Sequence, residues 1–328
     1  MNPNIISRTI NGWTYELHDN GYHLDFKILP NPEKIVPNSL FKYYGLSENS
    51  IESLKKERFY LAQPHEFNDL FDASFSRLDF EDISIDFAKR VIISLNEEEI
   101  DLQWKNEKKR IIDRAHYDCY KRFISMVGLL CMTSNHLDEL MWGYYTNNEG
   151  FCLEFDYKKF GNHFKGPHPI NYLEDLNPIP INWMDANFSF ITLMTTKKKS
   201  WQHENEYRFL VEPSAGINFK TTDIYKNSDG TNGFVDRFES YDSDALKSIT
   251  LGFNFLKDEE FEINDESTYE ISFISKNGIL KREIFEIIAK KNLKCFCLTQ
   301  QLRLFKFGIE EWQITLISNN KFKVIRLK

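Results

Sequence analysis

The stretch Lys197-Lys198-Lys199-Ser200-Trp201-Gln202-His203-Glu204-Asn205-Glu206-Tyr207-Arg208 runs directly into Phe209-Leu210-Val211. Two carboxylates and an arginine follow one another at a spacing of two, just ahead of an apolar run. In an extended chain successive side chains alternate faces. Extended throughout, this stretch would put Glu204, Glu206 and Arg208 on one face and Trp201, His203, Tyr207 and Phe209 on the other. Such a strand either presents a polar ligand site beside an aromatic wall or is the solvated face of a half-buried strand.

Working outward, residues 13–28 alternate around Asp19-Asn20-Gly21, with Trp13, Tyr15 and Leu17 on one side and Tyr22, Leu24, Phe26 and Ile28 on the other. Asn-Gly supplies the positive φ angles of a tight turn, so this is a β-hairpin. The apolar spacing predicts helices near 47–56, through 83–123 with a division at Asn96-Glu97-Glu98-Glu99, at 139–145 and at 278–290. Strands are predicted at 58–62, 127–132, 151–155, 206–212, 247–253, 269–274, 294–298, 302–307 and 312–317. The expected fold is α+β: a single domain over 39–328 with a mixed, mostly antiparallel sheet and a central helical segment, preceded by an appended N-terminal β-hairpin over 1–38. The exposed edge of that hairpin would suit pairing with a second copy.

In a chain of 328 residues, 41% hydrophobic content with 28 Phe and 15 Tyr supports a large core. The net charge of −8 argues against bulk attraction to nucleic acid or to an anionic membrane. The five cysteines, Cys119, Cys131, Cys152, Cys295 and Cys297, are odd in number and lack zinc-knuckle spacing, so they read as reduced core residues. There is no apolar signal core in Met1–Arg8 and no window of 18 apolar residues. The expectation is a cytoplasmic protein without a membrane span.

Four blocks together resemble the bacterial family called domain of unknown function 2971. They are Leu40-Phe41-Lys42-Tyr43-Tyr44 with Phe67-Asn68-Asp69-Leu70-Phe71-Asp72; Leu130-Cys131-Met132-Thr133-Ser134; Met141-Trp142 through Tyr145 with Gly150–Asp156; and the Trp201–Arg208 block. The resemblance spans about residues 40–310, with Leu70 where the family usually carries proline. The layout is similar to that of ADP-ribosyltransferases, which cleave NAD at the nicotinamide bond. That likeness implies NAD as a substrate, with Glu206 as the main carboxylate and Glu204 orienting an acceptor. Ser134 or Tyr145 would lie on the nicotinamide side, and Lys42 or Arg208 at the diphosphate. Tyr43, Asn68, Asp69, Trp142 and Trp201 would line the ligand. The Arg or His of the first motif is absent, with Lys42 and Tyr43 in its place. By analogy the setting would be a defence or toxin effector whose acceptor is a protein or nucleic acid.

Two other readings stand beside this one. Asn68, Asp69 and Asp72 with Glu204 or Glu206 would give oxygen ligands for a divalent cation, as in a phosphodiesterase or nuclease, although Asn68 and Asp69 also read as a turn and no metal is expected. In the other, the blocks only organise the fold of a non-catalytic binding or regulatory module. Trp142 and Trp201 then become core anchors, and Arg208 an ordinary surface ion pair with Glu204.

Overall fold

The computed structural model describes residues 4–19, 24–29, 31, 36–126, 128–181, 186–211, 237–301, 303–304, 306–318 and 320–327. The N-terminal element is a three-stranded antiparallel sheet, Asn4–Ile10, Trp13–Asp19 and Leu24–Ile28. The expected pairing of the second and third strands is present, with Tyr15 opposite Ile28 and Leu17 opposite Phe26. Its Asn20-Gly21 turn lies outside the described residues. The additional first strand is joined by Asn11-Gly12, both at positive φ (55° and 76°), a second tight hairpin turn. Trp13, Tyr15 and Leu17 bury their side chains with Phe188 and Ile191 of the helix Ala186–Met194. Tyr15 also stacks on His168, with ring centroids 5.6 Å apart.

The main sheet has eleven strands among the described residues. In spatial order they are Glu260–Ile263, Thr268–Ser272, Lys321–Leu327, Lys306–Ser318, Lys294–Gln301, Leu246–Leu251, Phe151–Phe155, Leu40–Tyr44, Gly128–Thr133, Glu206–Val211 and Phe164–Pro169. Neighbours are antiparallel except Leu246–Leu251 with Lys294–Gln301, which are parallel. The fold is therefore α+β with a mixed, mostly antiparallel sheet. The strands expected at 302–307 and 312–317 are replaced by one, Lys306–Ser318, which runs unbroken past Gly308. A Cβ at Gly308 would come within 2.6 Å of the Gln301 side chain, so glycine here serves a close cross-strand approach rather than a break.

One sheet face carries Leu40, Leu130, Met132, Leu153, Phe155, Phe209 and Ile249 against Ile51 and Leu54 of the helix Glu48–Lys55 and Ile284, Phe285 and Ile288 of the helix Gly278–Lys291. The helical segment contains three helices rather than two: Ile85–Val91, Glu97–Asn106 and Lys108–Met126. The expected division is a capping box, in which Asn96 Oδ1 accepts from Glu99 N and Glu99 Oε2 accepts from Asn96 N, both at 2.9 Å. The further break is at Glu107, whose φ of −145° leaves the helical region. These helices bury Phe87, Ile111, Ala115 and Cys119 with Leu129, Leu193 and Met194 in a second core. All five cysteines are free, four of them buried and Cys131 partly so. Among the described residues no helix is long and apolar enough to cross a membrane.

Candidate active site

Strand Glu206–Val211 pairs with Gly128–Thr133 so that Glu206 faces Thr133 and Arg208 faces Cys131. Phe209 belongs to the first core, and the alternation sends Glu206 and Arg208 to the other side of the sheet. The strand begins at Glu206, close to the expected 206–212, so the extended arrangement does not reach back to Trp201. Lys199–Glu204 forms a 3-10 turn, and Asn205, at φ 43°, reverses the chain in the left-handed region before Glu206. Asn is among the few residues that tolerate this backbone. The kink is pinned to the neighbouring strand, since Thr133 Oγ1 donates to Glu204 O at 2.6 Å and Ser134 N to Asn205 O at 3.2 Å. Glu206 and Arg208 share the site by strand alternation, and Glu204 joins them through the turn.

Five charged side chains meet there, each at most 6% exposed: Asp72, Lys197, Glu204, Glu206 and Arg208. Lys197 Nζ lies 2.5 Å from Glu204 Oε2, 3.2 Å from Asp72 Oδ2 and 3.4 Å from Glu206 Oε2. Arg208 grips Glu206 with two nitrogens at 2.8 and 3.0 Å, reaches Asp72 Oδ2 at 2.6 Å and donates to Met194 O at 2.9 Å. Two tyrosines close the cluster: Tyr145 donates to Glu204 Oε1 at 2.6 Å, and Tyr172 Oη accepts from Glu206 N at 2.8 Å. The Arg208 guanidinium stands 4.9 Å from the Phe67 ring, and Lys197 Nζ 4.9 Å from the Trp201 ring.

Three carboxylates against two cations leave the pair of glutamates in unequal environments. Burial pushes both carboxyls up. For Glu206 this is outweighed by Arg208 and Lys197, which hold it at about 2. For Glu204, burial and the neighbouring Glu206 charge prevail over Lys197 and Tyr145, and its pKa is raised. Lys197 is raised because Glu206, Asp72 and Glu204 outweigh its burial. The Tyr145 hydroxyl is raised by burial and by Glu204. Asp72 Oδ1 and Asp69 Oδ2 are buried and have no hydrogen-bond partner among the described residues.

The remaining predicted residues divide. Lys42 leaves a strand that meets Gly128–Thr133 only at Phe41 opposite Thr133, and its Nζ donates to Cys131 O at 3.2 Å. Burial lowers its pKa against the pull of Cys131 and Glu206. Tyr43 and Trp142 pack together in another core with Met141, Cys152 and Leu298, donating to Asn135 O at 3.0 Å and His136 O at 2.8 Å. Asn68 is exposed. Asp69 closes a turn, its Oδ1 accepting from Phe71 N at 3.0 Å. Arg208 is a wholly buried partner of Glu206 and Asp72 rather than a surface partner of Glu204. Among the described residues no group of three or more His, Cys, Asp or Glu is placed to hold a metal ion, and Lys197 and Arg208 bridge Asp72 and Glu206. Lys197, Thr133 and Tyr172 were not singled out from sequence. Lys197 carried a signal as the first residue of the Lys197-Lys198-Lys199 run, and Thr133 as a member of the Leu130–Ser134 block.

In comparison with known proteins, the chain matches no family model, no curated protein and no solved structure.

Proposed function

We propose that this cluster is the site of an NAD-cleaving, ADP-ribosyltransferase-like or NAD-glycohydrolase activity in which Glu204, rather than Glu206, is the working carboxylate. The observation that carries the reading is the unequal clamping of the two carboxylates. Glu206 is gripped by two nitrogens of Arg208 at 2.8 and 3.0 Å, whereas Glu204 is held by Lys197 and Tyr145. Neighbouring titratable groups in such different environments are suited to separate acid–base roles. Glu206, ionised and clamped by Arg208, is a fixed negative charge and an orienting group. Glu204 has a raised pKa and contacts Tyr145, whose ring is 36% exposed and so links the buried carboxyl to solvent.

On this reading the bond between ribose C1′ and the nicotinamide nitrogen breaks, and its electron pair leaves with nicotinamide. The cationic sugar that remains is stabilised by the carboxylates. Water or an acceptor hydroxyl then bonds to C1′ and gives its proton to Glu204.

A second reading, a non-catalytic binding or regulatory module, is favoured by a different observation. Both oxygens of Glu204 and of Glu206 already have partners within the protein. Incubation with NAD separates the two readings. The catalytic reading expects nicotinamide release by the native chain and about 100-fold less from Glu204→Gln. No release, or equal release from both, supports the module.

A further inference from the structure

We propose that the outward face of the helix Lys108–Met126 binds single-stranded nucleic acid. The proposal is independent of the NAD reading. The net charge of −8 conceals a local reversal: between residues 105 and 121 stand six cations, Lys105, Lys108, Lys109, Arg110, Arg114 and Lys121, against Glu107, Asp113 and Asp118. The helix orients them. Ile111, Ala115 and Cys119 are buried at a spacing of four, which turns Lys109, Arg110, Arg114, Tyr117 and Lys121 to solvent.

The opposing charges offset Arg110 and Arg114 in part and leave the face a cationic excess. Asp118 is buried and accepts from Ile93 N and Ser94 Oγ, with Arg114 at 3.6 Å. Glu107 meets Arg110 at 3.1 Å, between two exposed side chains. Asp113 is exposed on the helix. On the helices packed alongside, Glu97 and Asp101 are drawn to Lys89, at 3.8 and 2.8 Å.

The aromatic residue chooses the partner. Tyr117 is 46% exposed and lies between two cations, the Arg114 guanidinium 5.7 Å and Lys121 Nζ 4.6 Å from its ring. A phosphate backbone fits the cations. An unstacked base, which a duplex keeps inside its stack and an acidic protein lacks, fits the exposed part of the ring beside them. From Arg110 to Lys121 the stripe runs about 16 Å along the helix, room for several nucleotides.

The test is fluorescence anisotropy of the full chain with a labelled single-stranded DNA of about 20 nucleotides, from about 50 to 200 mM salt. Four phosphate contacts, by Lys109, Arg110, Arg114 and Lys121, predict a loss of affinity of about 50-fold over that range. Arg110→Gln, Arg114→Gln and Lys121→Gln combined should reduce the loss to about threefold. Tyr117→Ala should weaken binding about tenfold while leaving the salt dependence unchanged. Arg110, Lys121 and Tyr117 are exposed, so their substitution should not move the melting temperature. Arg114 donates to Ser94 Oγ at 2.8 Å and stands 3.6 Å from the buried Asp118, so a lower melting temperature is expected from Arg114→Gln and affinities are compared well below it. Absence of binding, or an unaltered affinity in Tyr117→Ala, overturns the proposal. Equal competition by the same sequence as duplex, or by polyglutamate, also overturns it and assigns the face to polyanions or acidic proteins in general.

Discussion

Replacing Arg208 with methionine removes the cation that two buried carboxylates share. Arg208 is fully buried and makes charged hydrogen bonds to Glu206 and Asp72, with a further one to Met194 O. Methionine fills much of the volume but leaves only Lys197 to compensate Asp72, Glu204 and Glu206. Breaking a buried ion pair by deleting one partner costs about 3–5 kcal/mol, because the other charge stays behind in a poor solvent. At about 2–3 °C per kcal/mol for a chain of this size, the melting temperature should fall by about 6–15 °C. Arg208→Lys keeps the charge but loses the two-pronged grip on Glu206, so about half of that loss is expected.

The pH dependence has a definite sign. In the native protein Glu206, held at about 2 against an ordinary 4.5, contributes stability that is complete above the ordinary value and is lost as pH falls toward 2. Without Arg208, burial dominates and the carboxyl rises, so protonation relieves the unpaired charge. The deficit of Arg208→Met should therefore narrow between about pH 7 and pH 5. Urea titrations followed by tryptophan fluorescence at both pH values measure it. A deficit below about 1 kcal/mol at neutral pH, or one that does not change with pH, would refute the account of the cluster.

Other expectations follow from single contacts. His168 is fully buried against Tyr15, and burial lowers its pKa to about 4, so the native state loses stability as pH falls from 6.5 through 4. That loss is at most about 3 kcal/mol, and His168→Phe should flatten this part of the acid-unfolding profile. Asn205→Val forces a β-branched residue into the left-handed region and should cost about 1–2 kcal/mol in thermal melts, whereas Asn205→Gly should stay within about 0.5 kcal/mol of native. Lys42 has a pKa lowered by burial, so its charged form is a cost below that pKa and the cost is relieved as pH rises. Lys42→Met should accordingly be neutral or stabilising near pH 7, with its advantage over the native chain shrinking toward about pH 10 in paired thermal melts.

The sheet was legible wherever apolar alternation and turn chemistry agreed, as in Phe151–Phe155 and the Glu206–Val211 strand. It was less so where they conflicted. The gap expected between strands at 302–307 and 312–317 is a strand interior, and Asn4–Ile10 lacks the alternation that marks its two partners. At the site, strand alternation held for Glu206 and Arg208 and failed for Glu204. Strand periodicity has no means of foreseeing a left-handed Asn205, which places Glu204 by a turn. The partners Asp72 and Lys197 arrive from segments 136 and 11 residues from Arg208, and long-range pairing of this kind leaves no local periodic trace. Tyr43 and Trp142 illustrate the converse, since an aromatic beside a motif is placed by the core it fills.

The most direct test of the account is the pH dependence of nicotinamide release in the native chain and in Tyr145→Phe. If Glu204 is the base, the rate rises with pH through the Glu204 titration. Tyr145 donates to that carboxylate and lowers its pKa, so removing the hydroxyl should move this limb to higher pH. A native chain without turnover, or a limb that stays in place in Tyr145→Phe, would contradict the assignment of Glu204.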